Sequence, residues 1–319
     1  MKNRQDKGLA VLLSKRANVF YLEYCRVQKQ DDRVVYLTQT GKDVESFFNI
    51  PEKNTAFLLL GTGTSITQSA IRKLAESHVM VGFCGGGGTP HFGQVDFAFL
   101  NIESEYRPTD YMQKWAGIWF NEQQRIAVAK SFCLQRITNV ETYWKKLHGI
   151  EVDATLSDKF RHGIASAKSA QDLLLTEASW SKSLYGFLAR HYSVGKFTRR
   201  SKDDDRGSGS MEKINDLLDQ GNYLAYGYSA TALSGMGISF MFPVLHGKTR
   251  RGALVFDLAD TFKDALVMPL AFEMGSARAK NQAYRDALIE RMFEEKLLDF
   301  LFGLIKSTCN SFTLTEDEG

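Results

Sequence analysis

The chain has 319 residues, of which 44% are hydrophobic and 24% are charged, as in ordinary globular proteins. Its 40 basic and 37 acidic side chains leave a net charge of only +3, so any surface for nucleic acid has to be local. The four cysteines lack the paired spacing of a disulfide framework or zinc knuckle, and no stretch approaches the ~18 apolar residues of a membrane span. We therefore expect a soluble, cytoplasmic protein.

The first hundred residues predict short strands interrupted by one helix. Apolar or alternating runs between turn residues are typical of strands, and they occur at 9–13, 19–27, 33–37, 55–60, 79–83 and 95–100. Ser65-Ile-Thr-Gln68 has the form of a capping box, so we expect a helix that Ser65 caps. The glycine-rich loops at 61–65 and 84–90 fit tight turns, although their backbone N–H groups could also face a phosphate.

After Pro108 the pattern changes to long helical periods. Apolar residues recur at helical spacing in the segments 109–147, 154–168, 173–192, 211–236, 253–274 and 278–306. Thr109, Asp153 and Asp172 are placed as caps for three of these helices.

The order of the elements predicts two segregated domains. Strands first and helices afterwards indicate an α+β chain, with a β-rich domain at 1–104 and a helical domain at 105–319. The charged, glycine- and serine-rich stretch 199–210 is predicted to be a mobile loop.

The segment from His246 to Asp260 joins a metal-competent imidazole to two carboxylates. If 254–270 is helical, Asp257 and Asp260 project from one face, because residues three apart are neighbours on a helix. Two acids and an imidazole suit Mg²⁺ or Mn²⁺ better than structural zinc. The nearby cations, which a phosphodiester would meet, are Lys248, Arg250 and Arg251. The acids could equally mark a helix start, which the helix dipole favours, and the histidine could be a packed residue.

A third carboxylate is needed, because a catalytic ion requires several protein ligands and an open position. Glu177 lies in a predicted helix and borders its apolar face, so its side chain could point into a cleft between helices. The ordinary alternative is that this glutamate is exposed to solvent.

Five motifs in the same order resemble one protein family over nearly the whole chain. They are LLLGTGTSITQ at 58–68, VMVGFCGGGGTP at 79–90, EYRPTDY at 105–111, NYLAYGY at 222–228, and 246–260. The family is that of the CRISPR adaptation integrases, the first of the numbered CRISPR-associated (Cas) proteins, in the variety found in type I-F systems.

The resemblance implies an amino-terminal β-sandwich-like domain used for dimerisation and a larger all-α catalytic domain with one divalent metal site for Mg²⁺ or Mn²⁺. The family's three metal ligands fall on Glu177, His246 and Asp260. Asp257 lies close to the site or shares it, Lys263 matches a basic active-site position, and Tyr226 matches an aromatic position near the DNA.

The implied activity is insertion of short captured DNA into a CRISPR array by attack of a 3′-hydroxyl on a phosphodiester. The implied partners are double-stranded DNA, a second copy of the chain, and a second small adaptation protein, which type I-F systems fuse to the helicase-nuclease effector. Two other functions stay open from the residues alone. One is a structure-selective nuclease that uses water on branched DNA, and the other is a non-enzymatic, dimeric DNA-binding scaffold whose acids only cap a helix.

Overall fold

The computed structural model describes residues 12–40, 44–84, 97–100, 109–200, 209–246 and 252–311. These residues fall into two compact units, one up to Leu100 and one from Thr109 onward. The first unit is rich in strands and the second is helical, as the order of the sequence patterns predicts. In the described ranges, no helix is both long enough and apolar enough to cross a bilayer.

Among its described residues, the first unit contains two four-stranded sheets. Its described strands are β1 (Asn18–Leu22), β2 (Cys25–Gln30), β3 (Arg33–Thr40), β4 (Val44–Ile50), β5 (Thr55–Leu60), β6 (Ser65–Ile66), β7 (Met80–Cys84) and β8 (Phe97–Leu100). One sheet has the order β1-β5-β7-β8 and the other β4-β3-β2-β6. Strand β5 is buried along its whole length, because it pairs in parallel with β1 on one side and β7 on the other.

Helix α1 (Gln68–Glu76) closes the core of this unit. Ala70 and Leu74 are fully buried in one cluster with Leu58 of β5 and with Val27 and Val34 of the other sheet. The amphipathic spacing of this helix therefore places its apolar face where the two sheets meet. This packing explains why a helix follows directly after a run of strands.

The predicted capping box at Ser65 is wrong. Ser65 and Ile66 are extended, because they pair with Arg26 and Val27 of β2, and Thr67 is the N-cap that accepts from Ala70 N–H. The single strand predicted over 19–27 is also wrong, since the chain turns at Tyr24, which has a left-handed backbone. Strand β4 was not predicted. The predicted strand 9–13 lies mostly outside the described residues, and Leu13 begins a short 3-10 helix.

The second unit is a bundle of helices. Those described are α2 (Asp110–Phe120), α3 (Glu122–His148), α4 (Ala154–Ser166), α5 (Ala170–His191), α6 (Ser210–Gly235), α7 (Ala253–Asp260), α8 (Lys263–Ser276), α9 (Asn281–Glu294) and α10 (Leu297–Ser311). Helix α6 packs closely against α8 and α9 at Gly221, where an added Cβ would collide with the hydroxyl of Tyr284 and lie 2.5 Å from Cγ1 of Val267. Only glycine fits this approach without displacing a neighbour.

Three predicted helices are each divided in two. The break at Asn121 arises because its side chain caps α3 and accepts from Gln124 N–H. The break after Asp260 arises at Thr261, whose carbonyl accepts from the side chain of Asn139. The third falls at Lys296, which has a left-handed backbone. Periodicity did not detect these breaks, because the apolar pattern continues across each of them.

The predicted caps had different outcomes. Asp153 caps α4 by accepting from Thr155 N–H, as predicted. Asp172 is instead the fourth residue of a capping box in which Ser169 is the N-cap of α5, and Thr109 precedes α2 without a side-chain capping bond.

Two of the three predicted loops, 84–90 and 199–210, extend outside the described residues, at 85–90 and 201–208. Arg199 and Arg200, at the start of the second loop, form ion pairs with Asp219 of α6. The glycine-rich stretch 61–65 is a tight turn between β5 and β6, in which Gly61 N–H donates to Leu22.

Candidate metal centre

Three polar side chains converge inside the helical unit. Glu177 projects from α5, His246 precedes α7 and Asp260 is the last residue of α7. One ligand atom from each lies within 4.8 Å of the other two. The Nε2 atom of His246 is 3.6 Å from Oε2 of Glu177 and 3.9 Å from Oδ2 of Asp260. The structure thus brings together the three residues to which the family resemblance assigns a metal.

Asp257 holds His246 in place from behind. Its Oδ1 accepts from the backbone N–H of His246 at 3.0 Å and contacts Nδ1 of the ring at 2.7 Å. Its Oδ2 accepts from the backbone N–H groups of Val244 and Leu245 at 2.6 and 3.0 Å. Both oxygens are therefore engaged by the segment that carries the histidine. A carboxylate bonded to Nδ1–H fixes the neutral tautomer in which Nε2 is the free ligand atom.

Arg136 of α3 lies at the centre of the site, and the sequence patterns did not predict it. Its Nη1 donates to Oε1 of Glu177 at 2.6 Å, its Nη2 to Oγ of Ser181 at 2.9 Å, and its Nε to Oδ2 of Asp264 at 2.6 Å. The guanidinium thus connects α3, α5 and α8. A signal was present, because Arg136 lies four residues after Phe132 on the buried stripe of α3, where apolar residues are the rule.

The break between α7 and α8 places opposite charges beside each other. Asp260 ends α7, and Lys263, the first residue of α8, forms an ion pair with its Oδ1. Helix α3 fixes this junction, since the indole N–H of Trp144 donates to the carbonyl of Asp264 and Asn139 donates to that of Thr261. The helix interruption is therefore part of the geometry of the site.

Burial and charge shift the pKa values of the ligands in different directions. Burial raises the pKa of Glu177, against the opposing effect of Arg136. Burial would also raise that of Asp260, but the charges of Lys263 and Arg136 outweigh it and lower its pKa. For His246, burial lowers the pKa, while the hydrogen bond to Asp257 and the neighbouring acids raise it by more. The ordinary proton equilibria are thus displaced at all three ligands.

The donor set fits a hard divalent cation. Two carboxylate oxygens and one imidazole nitrogen face one point, and such ligands suit Mg²⁺ or Mn²⁺. The carboxylates of Glu177, Asp257, Asp260 and Asp264 outnumber the cations Arg136 and Lys263 by two. Oδ1 of Asp260 is paired with Lys263, and its Oδ2 faces Nε2 of His246 at 3.9 Å. A divalent ion would balance this excess of negative charge.

The remaining predicted site residues have separate outcomes. Tyr226 of α6 is nearly buried, and its ring packs edge-on against Phe256, with the centroids 4.7 Å apart. Its hydroxyl is close enough to Lys263 to act electrostatically on that ammonium group. Three residues predicted to contact phosphate lie outside the described residues. They are Lys248, Arg250 and Arg251.

Comparison with known proteins agrees with this fold. The family model for the CRISPR associated protein Cas1 matches residues 21–287. The chain is 42% identical to the CRISPR-associated endonuclease Cas1 of Pseudomonas aeruginosa, over 96% of each chain. It is 40% identical to the protein of the same name from Pectobacterium atrosepticum, over 95% of each.

Several solved structures share the fold at low sequence identity. A complex of TtCas1 with DNA superposes with a TM-score of 0.69 at 20% identity, covering 95% of both chains. A casposase bound to its integration product gives 0.69 at 15% identity, over 94% of both chains. A Cas6-RT-Cas1 chain in complex with Cas2 gives 0.68 at 14% identity, covering 98% of this chain and 38% of that one.

Proposed function

This chain belongs to the Cas1 family of CRISPR-associated proteins, and we propose on that basis that it is a divalent-metal-dependent DNA endonuclease and integrase of CRISPR adaptation. It inserts short captured DNA into a CRISPR array. The observation that carries this proposal is the convergence of Glu177, His246 and Asp260 on one point inside the helical unit. The relatives named as endonucleases and the fold shared with a casposase support the same class of chemistry.

In this reaction one phosphodiester forms and one breaks. The 3′-hydroxyl oxygen of the incoming strand bonds to the target phosphorus, while the bond from that phosphorus to the 3′-oxygen of the target strand is broken. No nucleotide cofactor is needed, because the number of phosphodiesters is conserved. A divalent ion, Mg²⁺ or Mn²⁺, would polarise the phosphate and stabilise its developing charge.

The protein's own residues prepare the site. Glu177, His246 and Asp260 would hold the ion, and Asp257 keeps Nε2 of His246 available by occupying Nδ1. Lys263 places a positive charge beside Asp260, where the phosphate would approach. Tyr226, next to Lys263, is proposed as an aromatic neighbour of the DNA. Phosphate contacts are assigned from sequence to Lys248, Arg250 and Arg251.

We also propose the assembly in which this chemistry takes place. Residues 1–104 form the dimerisation domain and 105–319 the catalytic domain, so the working unit is a homodimer. Double-stranded DNA and a second small adaptation protein are its partners, as the names of the TtCas1–DNA and Cas1–Cas2 complexes suggest for related proteins. In the type I-F variety that partner is fused to the helicase-nuclease effector. The assembly acts in the cytoplasm, where the array is located.

A strand-transfer assay tests the proposal. Linear DNA with free 3′-hydroxyl ends, supercoiled repeat DNA, Mn²⁺ and the partner protein should yield joined products with wild type. Asp260→Ala should be slower by about a thousandfold or more, since it loses several kcal/mol of metal-derived stabilisation at ~1.4 kcal/mol per decade. The matched control is Asp158→Ala, which removes an exposed acid from α4 and should leave the rate unchanged.

Two outcomes would contradict the proposal. If wild type cleaves branched DNA but never joins strands, the protein is a structure-selective nuclease. If Asp260→Ala joins DNA at the wild-type rate, the metal centre is not the catalytic site.

A further inference from the structure

Each proposed ligand side chain has two possible ligand atoms, and the protein holds one of them more closely than the other. Asp257 contacts Nδ1 of His246, Arg136 donates to Oε1 of Glu177, and Lys263 pairs with Oδ1 of Asp260. The other three atoms face one another. Nε2 of His246 is 3.6 Å from Oε2 of Glu177 and 3.9 Å from Oδ2 of Asp260. Of these three atoms, Oδ2 of Asp260 also lies 4.0 Å from Nη1 of Arg136, which is beyond hydrogen-bonding distance. Each residue therefore turns its less closely held atom toward the shared point.

Of these three contacts, the one between Arg136 and Glu177 is held most rigidly. Arg136 is 2% exposed. Its guanidinium donates to Asp264 through Nε and to Ser181 through Nη2, and these two hydrogen bonds fix the orientation of the group that binds Glu177. The guanidinium is planar and its N–H donors point in fixed directions. It holds Oε1 of Glu177 at 2.6 Å and cannot keep this hydrogen bond if the carboxylate rotates. By contrast, Lys263 meets Asp260 through a flexible stem, at a side chain that is 22% exposed.

The carboxylate oxygen that Arg136 holds is a poor ligand for a cation, because the guanidinium and the cation would repel each other, so Glu177 ligates through its other oxygen. Ca²⁺ takes six to eight oxygens and often binds carboxylates through both of theirs, whereas Mg²⁺ and Mn²⁺ suit fewer protein ligands in octahedral geometry. We infer that Arg136 is a positioning residue that restricts Glu177 to a single ligand oxygen and thereby sets the preference of this centre for Mg²⁺ or Mn²⁺ over Ca²⁺. This inference rests on the proposed metal site and assigns a source for its selectivity.

A merely structural role for Arg136 is the competing explanation. A buried cation among carboxylates is needed for folding whatever ion binds, so its replacement could weaken every metal equally. The two roles differ in the ratio of affinities. Loss of fold integrity lowers the affinity for both ions together, whereas release of Oε1 lowers the affinity for Mn²⁺ and leaves Ca²⁺ an extra oxygen.

The test is calorimetric titration with MnCl₂ and CaCl₂ alone, without DNA. Arg136→Lys keeps the charge but loses the fork, so the affinity for Mn²⁺ should fall by about 10- to 100-fold, the usual effect of losing a partner of a metal ligand. The affinity for Ca²⁺ should hold or rise, so the Mn²⁺/Ca²⁺ preference should shrink at least ~10-fold. Ser181→Ala, which removes only the bond to Nη2 and keeps every charge, should shift the ratio the same way by about 2- to 10-fold.

The matched control is Arg285→Lys. Arg285 is also buried, in α9, and donates to Gln220 and Gln282 at 2.9 and 2.8 Å, and neither of these hydrogen bonds involves a residue of the centre. Its replacement should cost stability and leave the ratio unchanged. An unchanged ratio in both Arg136→Lys and Ser181→Ala, with Mn²⁺ still bound by wild type, would overturn this inference alone. Failure of wild type to bind either ion would overturn the metal site and the proposed function with it.

Discussion

Two buried arginines show how differently the two units use the same residue type. Arg16, in the strand-rich unit, donates through Nη1 to the backbone carbonyls of Thr55, Ser77 and His78 at 2.9, 2.8 and 3.4 Å. Arg136, in the helical unit, donates instead to the carboxylates of Glu177 and Asp264.

Their pKa values move in opposite directions for this reason. Burial alone lowers the pKa of Arg16. Burial would lower that of Arg136 as well, but the surrounding acids outweigh it and raise its pKa well above the ordinary value. Arg16 therefore ties chain segments together, whereas Arg136 balances and orients acids that have a further use. A buried charge whose partners are themselves charged and exceed it in number is typical of functional sites.

Replacing each arginine by glutamine should give the largest difference between the two units, in the free energy of unfolding. Arg136→Gln should cost about 3–5 kcal/mol of unfolding free energy, because buried carboxylates lose their counter-charge. Arg16→Gln should cost about 1–3 kcal/mol, since it leaves carbonyl oxygens without a donor. Urea denaturation followed by tryptophan fluorescence measures the first, because Trp115, Trp119, Trp144 and Trp180 all lie in the helical unit. Hydrogen exchange in β5 measures the second.

A second substitution serves as the control. Adding Asp264→Asn to Arg136→Gln removes one uncompensated charge and should restore part of the loss, so the two changes should not be additive. Equal costs for the two arginines, or strict additivity with Asp264→Asn, would contradict the distinction between the units.

Metal should stabilise one unit only. At a concentration ~100 times the dissociation constant, Mn²⁺ should add about 2.7 kcal/mol to the stability of the helical unit. Hydrogen exchange should slow in α5 and α7, which carry ligands, and stay unchanged in β5 and β7. Removal of the ion with a chelator should reverse the effect. Glu177→Gln should abolish it, whereas slowing of exchange in both units alike would show that the ion binds elsewhere.

The smallest expected effect is the dependence of metal affinity on pH. In the metal-free protein the pKa of His246 is raised, so the protonated ring's contribution to stability is complete below the unfolded pKa of about 6.5 and disappears as pH rises through the folded pKa. Metal needs the neutral ring, so its affinity should fall by about tenfold per pH unit as pH drops below that folded pKa.

Protonation of Glu177, whose pKa is also raised, should make the metal affinity decrease more steeply as pH drops. Calorimetry in buffers of different ionisation enthalpy measures the proton released as metal binds. The control is His162→Gln, which replaces an exposed histidine of α4 and should leave the profile unchanged. An affinity that stays constant from pH 8 to about pH 5.5 would exclude His246 as a ligand.

Sequence patterns alone determined the class of the fold and one half of the centre. Period-two and period-3.6 patterns are local properties, so the change from strands to helices near residues 101–108 was predictable. The proximity of His246, Asp257 and Asp260 was also predictable, because they are close along the chain. Glu177 was a candidate because it borders the apolar face of a predicted helix, but only the family resemblance assigned it as a ligand, since a lone acid on a helix has no spacing that identifies it.

Tertiary structure decided what those residues do. Arg136 meets Glu177 and Asp264, which are 41 and 128 residues away along the chain, and no local pattern encodes contacts at such separations. Asp257 lies only 11 to 13 residues from the groups it binds, but its acceptor role still depends on how the segment before α7 folds back over it. Spacing along a chain specifies which atoms share a helix face. Only the packing of α3, α5, α7 and α8 decides which atom of each side chain is engaged and which is left for a ligand.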